Sequence, residues 1–168
     1  MKLETERLIL RPTEIADATA LSQLWTDPEV TRHMGGPRNY EEIYEEFMED
    51  ARNESPPDFD LWPVTEKSTG QLVGHCGLID KEVEGKVEIE LVYVLKKDAW
   101  GKGYATEIAN SIANRALNQF GLKKIIALIN PQNSTSENVA KKIGMKFEKE
   151  ILRPNGELMR IYSKSKST

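Results

Sequence analysis

The sequence has one cysteine, Cys76, and only two histidines, His33 and His75, among 168 residues. A single thiol closes no intrachain disulfide, and so few thiols and imidazoles cannot assemble the His/Cys clusters that hold zinc or iron. Long apolar runs are also missing. The longest, such as residues 125–129, fall far below the roughly 20 residues that cross a bilayer as a helix. Positive charge is not in excess either: 23 lysines and arginines face 27 acids, a net charge of −4, so the basic footprint of a nucleic-acid-binding domain is absent. The opening Met1-Lys2-Leu3-Glu4-Thr5-Glu6 puts acids where a secretory signal puts an apolar stretch. The expectation is a cytoplasmic protein that uses no metal and binds neither membrane nor nucleic acid.

Linkers and repeats are lacking as well. No Gly/Ser stretch divides the chain, no period of roughly 20 to 50 residues recurs, and the one irregular stretch is 53–58. A composition 39% hydrophobic and 30% charged suits one soluble domain over residues 1–168, built on a single core. His75 and Cys76 lie in an apolar stretch, residues 72–79, that reads as a strand. Successive strand side chains point to opposite faces, so these two cannot form a nucleophile pair with each other. Cys76 reads as a small buried core residue.

What is present is periodicity. Residues 7–11 alternate as a short strand, and Thr13 followed by Glu14 and Asp17 looks like a helix cap with acids in the first turn, opening a helix to about Trp25. Tyr40, Ile43, Tyr44, Phe47 and Ala51 form one apolar stripe, with Glu41, Glu42, Glu45, Glu46 and Glu49 opposite, which predicts a second amphipathic helix with a solvated acidic face. The period then shortens. Strand-like runs at 59–66, 71–79 and 87–95, separated by turn signals at 68–70 and 84–86, suggest an antiparallel meander. A long helical stripe from Ala105 to Phe120 stops at Gly121, followed by a strand at 124–129. A short helix through Val139, Ala140 and Ile143 ends at Gly144, and a hairpin through Phe147 and Tyr162 completes the chain. The order β, α, α, βββ, α, β, α, ββ predicts an α/β (α+β) layout on a mixed sheet.

The most informative segment is Trp100-Gly101-Lys102-Gly103-Tyr104-Ala105-Thr106-Glu107, between the 87–95 strand and the long helix. Glycines let a ligand approach the main chain, and the free amides and positive dipole end of a helix form an anion site. A phosphate or pyrophosphate is the natural guest. The string is not a P-loop, because G-x-x-x-x-G-K-[ST] does not occur. It is not a Rossmann turn, because Thr106 stands where the third glycine belongs and Asn130, not an acid, ends the next strand.

With its flanks the segment resembles the phosphate loop, [QR]-x-x-G-x-[GA], of the GNAT superfamily of acyl-CoA N-acyltransferases. Gly103 and Ala105 match its last two fixed positions, and Trp100 replaces the Gln or Arg. Trp-Gly-Lys-Gly-Tyr-Ala-Thr-Glu is similar to the variant in the branch that contains the ribosomal-protein N-terminal acetyltransferases. Thr5-Glu6-Arg7-Leu8-Ile9-Leu10-Arg11-Pro12, Asp27-Pro28-Glu29-Val30-Thr31, Gly74-His75-Cys76-Gly77-Leu78 and Asn133-Ser134-Thr135-Ser136 followed by Gly144 also match that branch. The resemblance covers nearly the whole chain. It implies a mostly antiparallel mixed sheet of about seven strands with four helices, and a splayed parallel strand pair at the coenzyme site.

The resemblance further implies acetyl-CoA as co-substrate and an amine acceptor, such as an N-terminal peptide, a polyamine or another small amine, used by a monomer or homodimer. The coenzyme's pyrophosphate would sit on the amides of Gly101, Lys102, Gly103, Tyr104 and Ala105 beside Trp100. Its pantetheine would lie in the splay, hydrogen-bonded to Tyr93 and Leu95, and Asn133 would position it. An amine must lose a proton before it attacks a thioester. On the 87–95 strand Glu88 and Glu90 share one face, and Glu90 is the expected general base, acting through water. The tyrosine that many members use as acid corresponds here to Ala140. Ser136 is the candidate instead, either as acid or only as a helix cap. Helix walls around the acceptor would bring Trp25, His33, Met34 and Tyr40 to it, with core packing the alternative for Trp25 and Tyr40. A non-catalytic acyl-CoA-binding module is the competing reading.

Overall fold

The apolar periodicities resolve into two helical layers packed on one sheet in the computed structural model, which describes residues 1–167. The helices are α1 (Ala18–Thr26), α2 (Tyr40–Arg52), α3 (Tyr104–Asn114) and α4 (Ser134–Lys142). The strands are β1 (Leu3–Glu4), β2 (Leu8–Leu10), β3 (Leu61–Glu66), β4 (Leu72–Val83), β5 (Lys86–Leu95), β6 (Lys124–Ile129), β7 (Lys146–Leu152) and β8 (Leu158–Ser165). Their order is β1-β2-β3-β4-β5-β6-β8-β7, antiparallel throughout except for β5 beside β6. Eight strands are present among the described residues, one more than periodicity reveals, because β1 is two residues long and is defined only by pairing Leu3 with Leu10 and Glu4 with Ile9.

Alternation along β5 sorts its side chains between the layers. Leu91 and Leu95 join the core beneath α3 and α4, together with Ile108, Ile112 and Ala140, while Val92 and Val94 join Leu21, Trp25 and Phe47 beneath α1 and α2. Each fully buried aliphatic such as Leu91 contributes roughly 1.5 to 3 kcal/mol. Pairing of β4 with β5 is continuous from Gly74–Leu95 to Val83–Lys86. By contrast β5 and β6 meet only at Glu90–Ile126, so the two strands separate beyond that point. Gly77 is fixed by close approach: a Cβ there would lie 1.9 Å from the Asp60 carbonyl oxygen.

Two local expectations change. Thr13 does not cap the first helix. The buried Asp17 is drawn into a pair with half-buried Arg11, at 2.7 and 3.0 Å, and accepts the Glu14 amide at 2.7 Å. The chain therefore makes a 3-10 turn, Ile15–Asp17, before α1 begins. The long helix ends its regular part at Asn114 and widens into a π turn, Arg115–Gln119, before Gly121 at φ +70°.

Candidate active site

A 3-10 turn, Lys97–Ala99, leads from β5 into the glycine loop and α3. Gly103 immediately precedes the helix at φ +80°, where residues with a Cβ are strained, and no side chain caps this helix end. The amides of residues 101–106 meet no acceptor among the described residues. Together with the helix dipole they form a concavity whose chemistry suits an anion. This concavity opens on a cleft of about 730 Å³. Trp100, Gly101, Gly103, Tyr104 and Ala105 border the cleft, as do Tyr93 and Leu95 from β5. Lys102 does not: its carbonyl oxygen is turned away, accepting from Arg7 at 2.8 Å. Trp100 is 46% exposed and its indole N–H donates to the Leu95 carbonyl at 3.0 Å, fixing the ring as a wall.

The N-terminus of α4 forms the opposite bank. Asn133 caps this helix, its Oδ1 accepting the Ser136 amide at 3.2 Å. Ser136 is therefore not the cap, because it occupies the first turn and lines the cleft. The helix is held from behind by Glu137, which accepts from Arg160 at 2.6 Å and from the Tyr162 hydroxyl at 3.1 Å. Across the cleft the Tyr93 hydroxyl donates to the Ser136 carbonyl at 2.8 Å. Burial pushes the Tyr93 phenol up from its ordinary value. Ala140 is fully buried in the core.

Glu90 lies at the point where β5 and β6 part, 8% exposed, on the strand face toward α1 and α2. A recess of about 40 Å³ holds it with Leu128 and Asn130, and shares Tyr93, Asn133, Ser136, His33 and Met34 with the large cleft, so the two cavities adjoin. Burial raises the Glu90 carboxyl, against the pull of Lys81, Arg153 and the Leu128 amide. Glu88 shares the face but stays partly exposed, 3.8 Å from Lys124. Of the four acceptor-wall candidates, only His33 and Met34 reach the cavities. The Trp25 indole instead donates to His75 at 2.9 Å in the core, and Tyr40 stacks on Tyr44. The acids of α2 are exposed. Cys76 is buried, its thiol pushed up to about 12 by burial. Among the described residues no group of three or more His, Cys, Asp or Glu side chains could hold a metal ion.

One part of the loop's support escapes sequence reasoning. Thr5 and Arg7 grip Glu107, about a hundred positions away, and the Tyr104 hydroxyl donates to Glu66 at the end of β3. The string Thr5-Glu6-Arg7 is visible as a motif, but its partner is not.

The comparisons with known proteins agree with this geometry. Residues 7–146 match the family profile described as acetyltransferase (GNAT) domain. The uncharacterized protein YkkB of Bacillus subtilis (strain 168) is 35% identical over 155 residues, 92% of this chain and 90% of its own. The uncharacterized N-acetyltransferase p20 of Bacillus licheniformis is 32% identical over 171 residues, 98% of this chain and 88% of its own. A GNAT-family acetyltransferase from Bacillus anthracis superposes with a TM-score of 0.82 at 26% identity, covering 98% of both chains. The chain belongs to the GNAT family of N-acetyltransferases, enzymes that draw their acetyl group from acetyl-CoA.

Proposed function

We propose that the protein moves the acetyl group of acetyl-CoA directly onto a primary amine, an N-terminal peptide, a polyamine or another small amine, within a ternary complex and without a covalent enzyme intermediate. The observation that carries this reading is a buried carboxylate, Glu90, at the fork of β5 and β6, in a recess adjoining a cleft walled by unpartnered amides. The lining of the cleft suits the coenzyme in its chemistry. Free amides at the start of α3 and the left-handed Gly103 suit a diphosphate, and the open edge of β5 beyond Glu90 suits an amide-bearing pantetheine arm.

Glu90 receives the proton that the attacking amine releases, through an intervening water. Burial makes it a stronger base than an exposed glutamate, which is the direction that deprotonating an ammonium requires. As the N–C bond forms and the C–S bond breaks, negative charge passes from the carbonyl oxygen to the leaving sulfur. Main-chain amides at the strand fork stabilise the first, and the positive end of α4 stabilises the second. Ser136, in the first turn of that helix with its hydroxyl free of capping duty, hydrogen-bonds the departing sulfur and passes it a proton, regaining one from solvent as Glu90 gives up the proton it received, so that the thiol leaves neutral. His33 and Met34 flank the acceptor's approach. A thiol-release screen with acetyl-CoA across N-terminal peptides, polyamines, amino acids and aminoglycosides tests the reading. Turnover with one amine class is expected, and CoA binding without turnover on any of them overturns it.

A further inference from the structure

The glycine loop has to present amides to an anion, yet it contains two left-handed glycines and is followed, in the first turn of α3, by an acid. Glycines leave a loop free to move. A carboxylate at a helix N-terminus favours the dipole but competes with a ligand of the same charge. Both problems are met by the segment ahead of β2. The Glu107 carboxylate accepts from the Thr5 hydroxyl at 2.5 Å, from the Arg7 amide at 3.0 Å and from Arg7 Nε at 2.8 Å. The other arm of the same guanidinium donates to the Lys102 carbonyl at 2.8 Å, and its plane lies over the Tyr104 ring at 4.5 Å. Arg7 Nη2 would also stand 3.4 Å from a Cβ on Gly103. None of Thr5, Arg7 and Glu107 borders the cleft.

We propose that Arg7, with Thr5 and Glu107, is a positioning device for acetyl-CoA that fixes the peptide planes of the glycine loop and neutralises the carboxylate in the first turn of α3, which would otherwise oppose a diphosphate at that helix end. In a trans peptide the C=O and N–H point in opposite directions. Holding the Lys102 oxygen away from the cleft therefore turns the Gly103 amide toward it. Burial alone would raise the Glu107 carboxyl, but the hydrogen bonds from Thr5 and Arg7 hold it below its ordinary value, so it stays ionised and paired with Arg7. The inference rests on the reading of this loop as the diphosphate seat.

The test compares acetyl-CoA with acetyl-pantetheine, which lacks the diphosphate, in wild type, Arg7→Gln, Arg7→Lys and the double variant Arg7→Gln/Glu107→Gln. In Arg7→Gln the calorimetric Kd for CoA and the KM for acetyl-CoA should rise roughly tenfold or more, the equivalent of a charge-assisted hydrogen bond. Its kcat at saturation and its kcat/KM for acetyl-pantetheine should match wild type. Arg7→Lys keeps the charge but cannot serve Glu107 and the Lys102 oxygen at once, so it should show the same pattern. The double variant should regain part of the affinity, because the unpaired carboxylate is gone. An unchanged Kd in both Arg7 variants overturns the proposal, as does equal damage with both donors. Gly103→Val separates the two readings: if it loses CoA and the Arg7 variants do not, only the positioning role fails. If Gly103→Val binds CoA as wild type does, the diphosphate seat itself is wrong.

Discussion

Lowering the pH should unfasten α1 from the sheet, because one imidazole holds them together in its neutral form. His75 on β4 accepts the Trp25 indole N–H at Nδ1, 2.9 Å away, and its Nε2 donates to the Leu61 carbonyl at 3.1 Å. Protonation would put a second hydrogen at Nδ1, facing a donor, inside a fully buried site. Burial accordingly depresses the His75 pKa from 6.5 to about 4. With the folded value below the unfolded one, the full stabilisation is present above pH 6.5 and is lost as the unfolded chain takes up a proton that the native state refuses. A fall from 6.5 to about 4 corresponds to about 3 kcal/mol once the pH has fallen to 4, and to about 2 kcal/mol at pH 5. Urea unfolding at pH 7.5 and pH 5.0 in wild type and His75→Gln isolates this contribution from the carboxylates. The variant should be less stable at pH 7.5, and its loss between the two pH values should be smaller than the wild-type loss by about 2 kcal/mol. Equal losses in the two proteins, or an imidazole NMR titration with its midpoint near 6.5, would refute the reasoning.

Glu90→Gln keeps shape but removes the proton acceptor, so kcat should fall by roughly 10² to 10⁴ with CoA affinity retained, and high pH should restore part of the rate. A larger loss in Glu88→Gln would mean that the wrong carboxylate has been assigned. Because burial raises the Glu90 pKa, the acid limb of the wild-type kcat/KM profile should lie above the ordinary glutamate value, and a limb at or below that value would argue against Glu90 as the base. Ser136→Ala should lower kcat and leave the melting temperature unchanged, whereas Asn133→Ala should cost about 1 kcal/mol of stability, because Asn133 is the residue that caps α4. The reverse pattern in thermal melts and initial rates would return Ser136 to a capping role.

Local patterns made most of the architecture legible. The stripe from Ile108 to Leu117 and the acidic face of α2 identify their helices because burial repeats every 3.6 residues, and β5 declares its two faces because strand side chains alternate. The glycine loop and the Glu90 face were readable for the same reason: each is a short segment whose chemistry depends on adjacent residues. Boundaries that depend on distant partners were not. Thr13 gave way to a 3-10 turn because Arg11 captures Asp17, and β1 exists only by pairing with Leu10. For Trp25 and Tyr40 the sequence left acceptor wall and core packing open, and the fold ties one to His75 in the core and stacks the other on Tyr44.

The sequence by itself therefore determined most of the elements, the glycine loop ahead of α3 and the strand face on which Glu90 lies, since all three follow from periodicity and from the covalent geometry of a few neighbouring residues. Tertiary structure alone decided that β5 and β6 part at Glu90, and that Arg7 holds a glutamate about a hundred positions away. Those outcomes depend on which surfaces become buried against one another. Burial shifts a carboxyl or an imidazole only after the whole sheet has closed around it, and no local pattern records that closure.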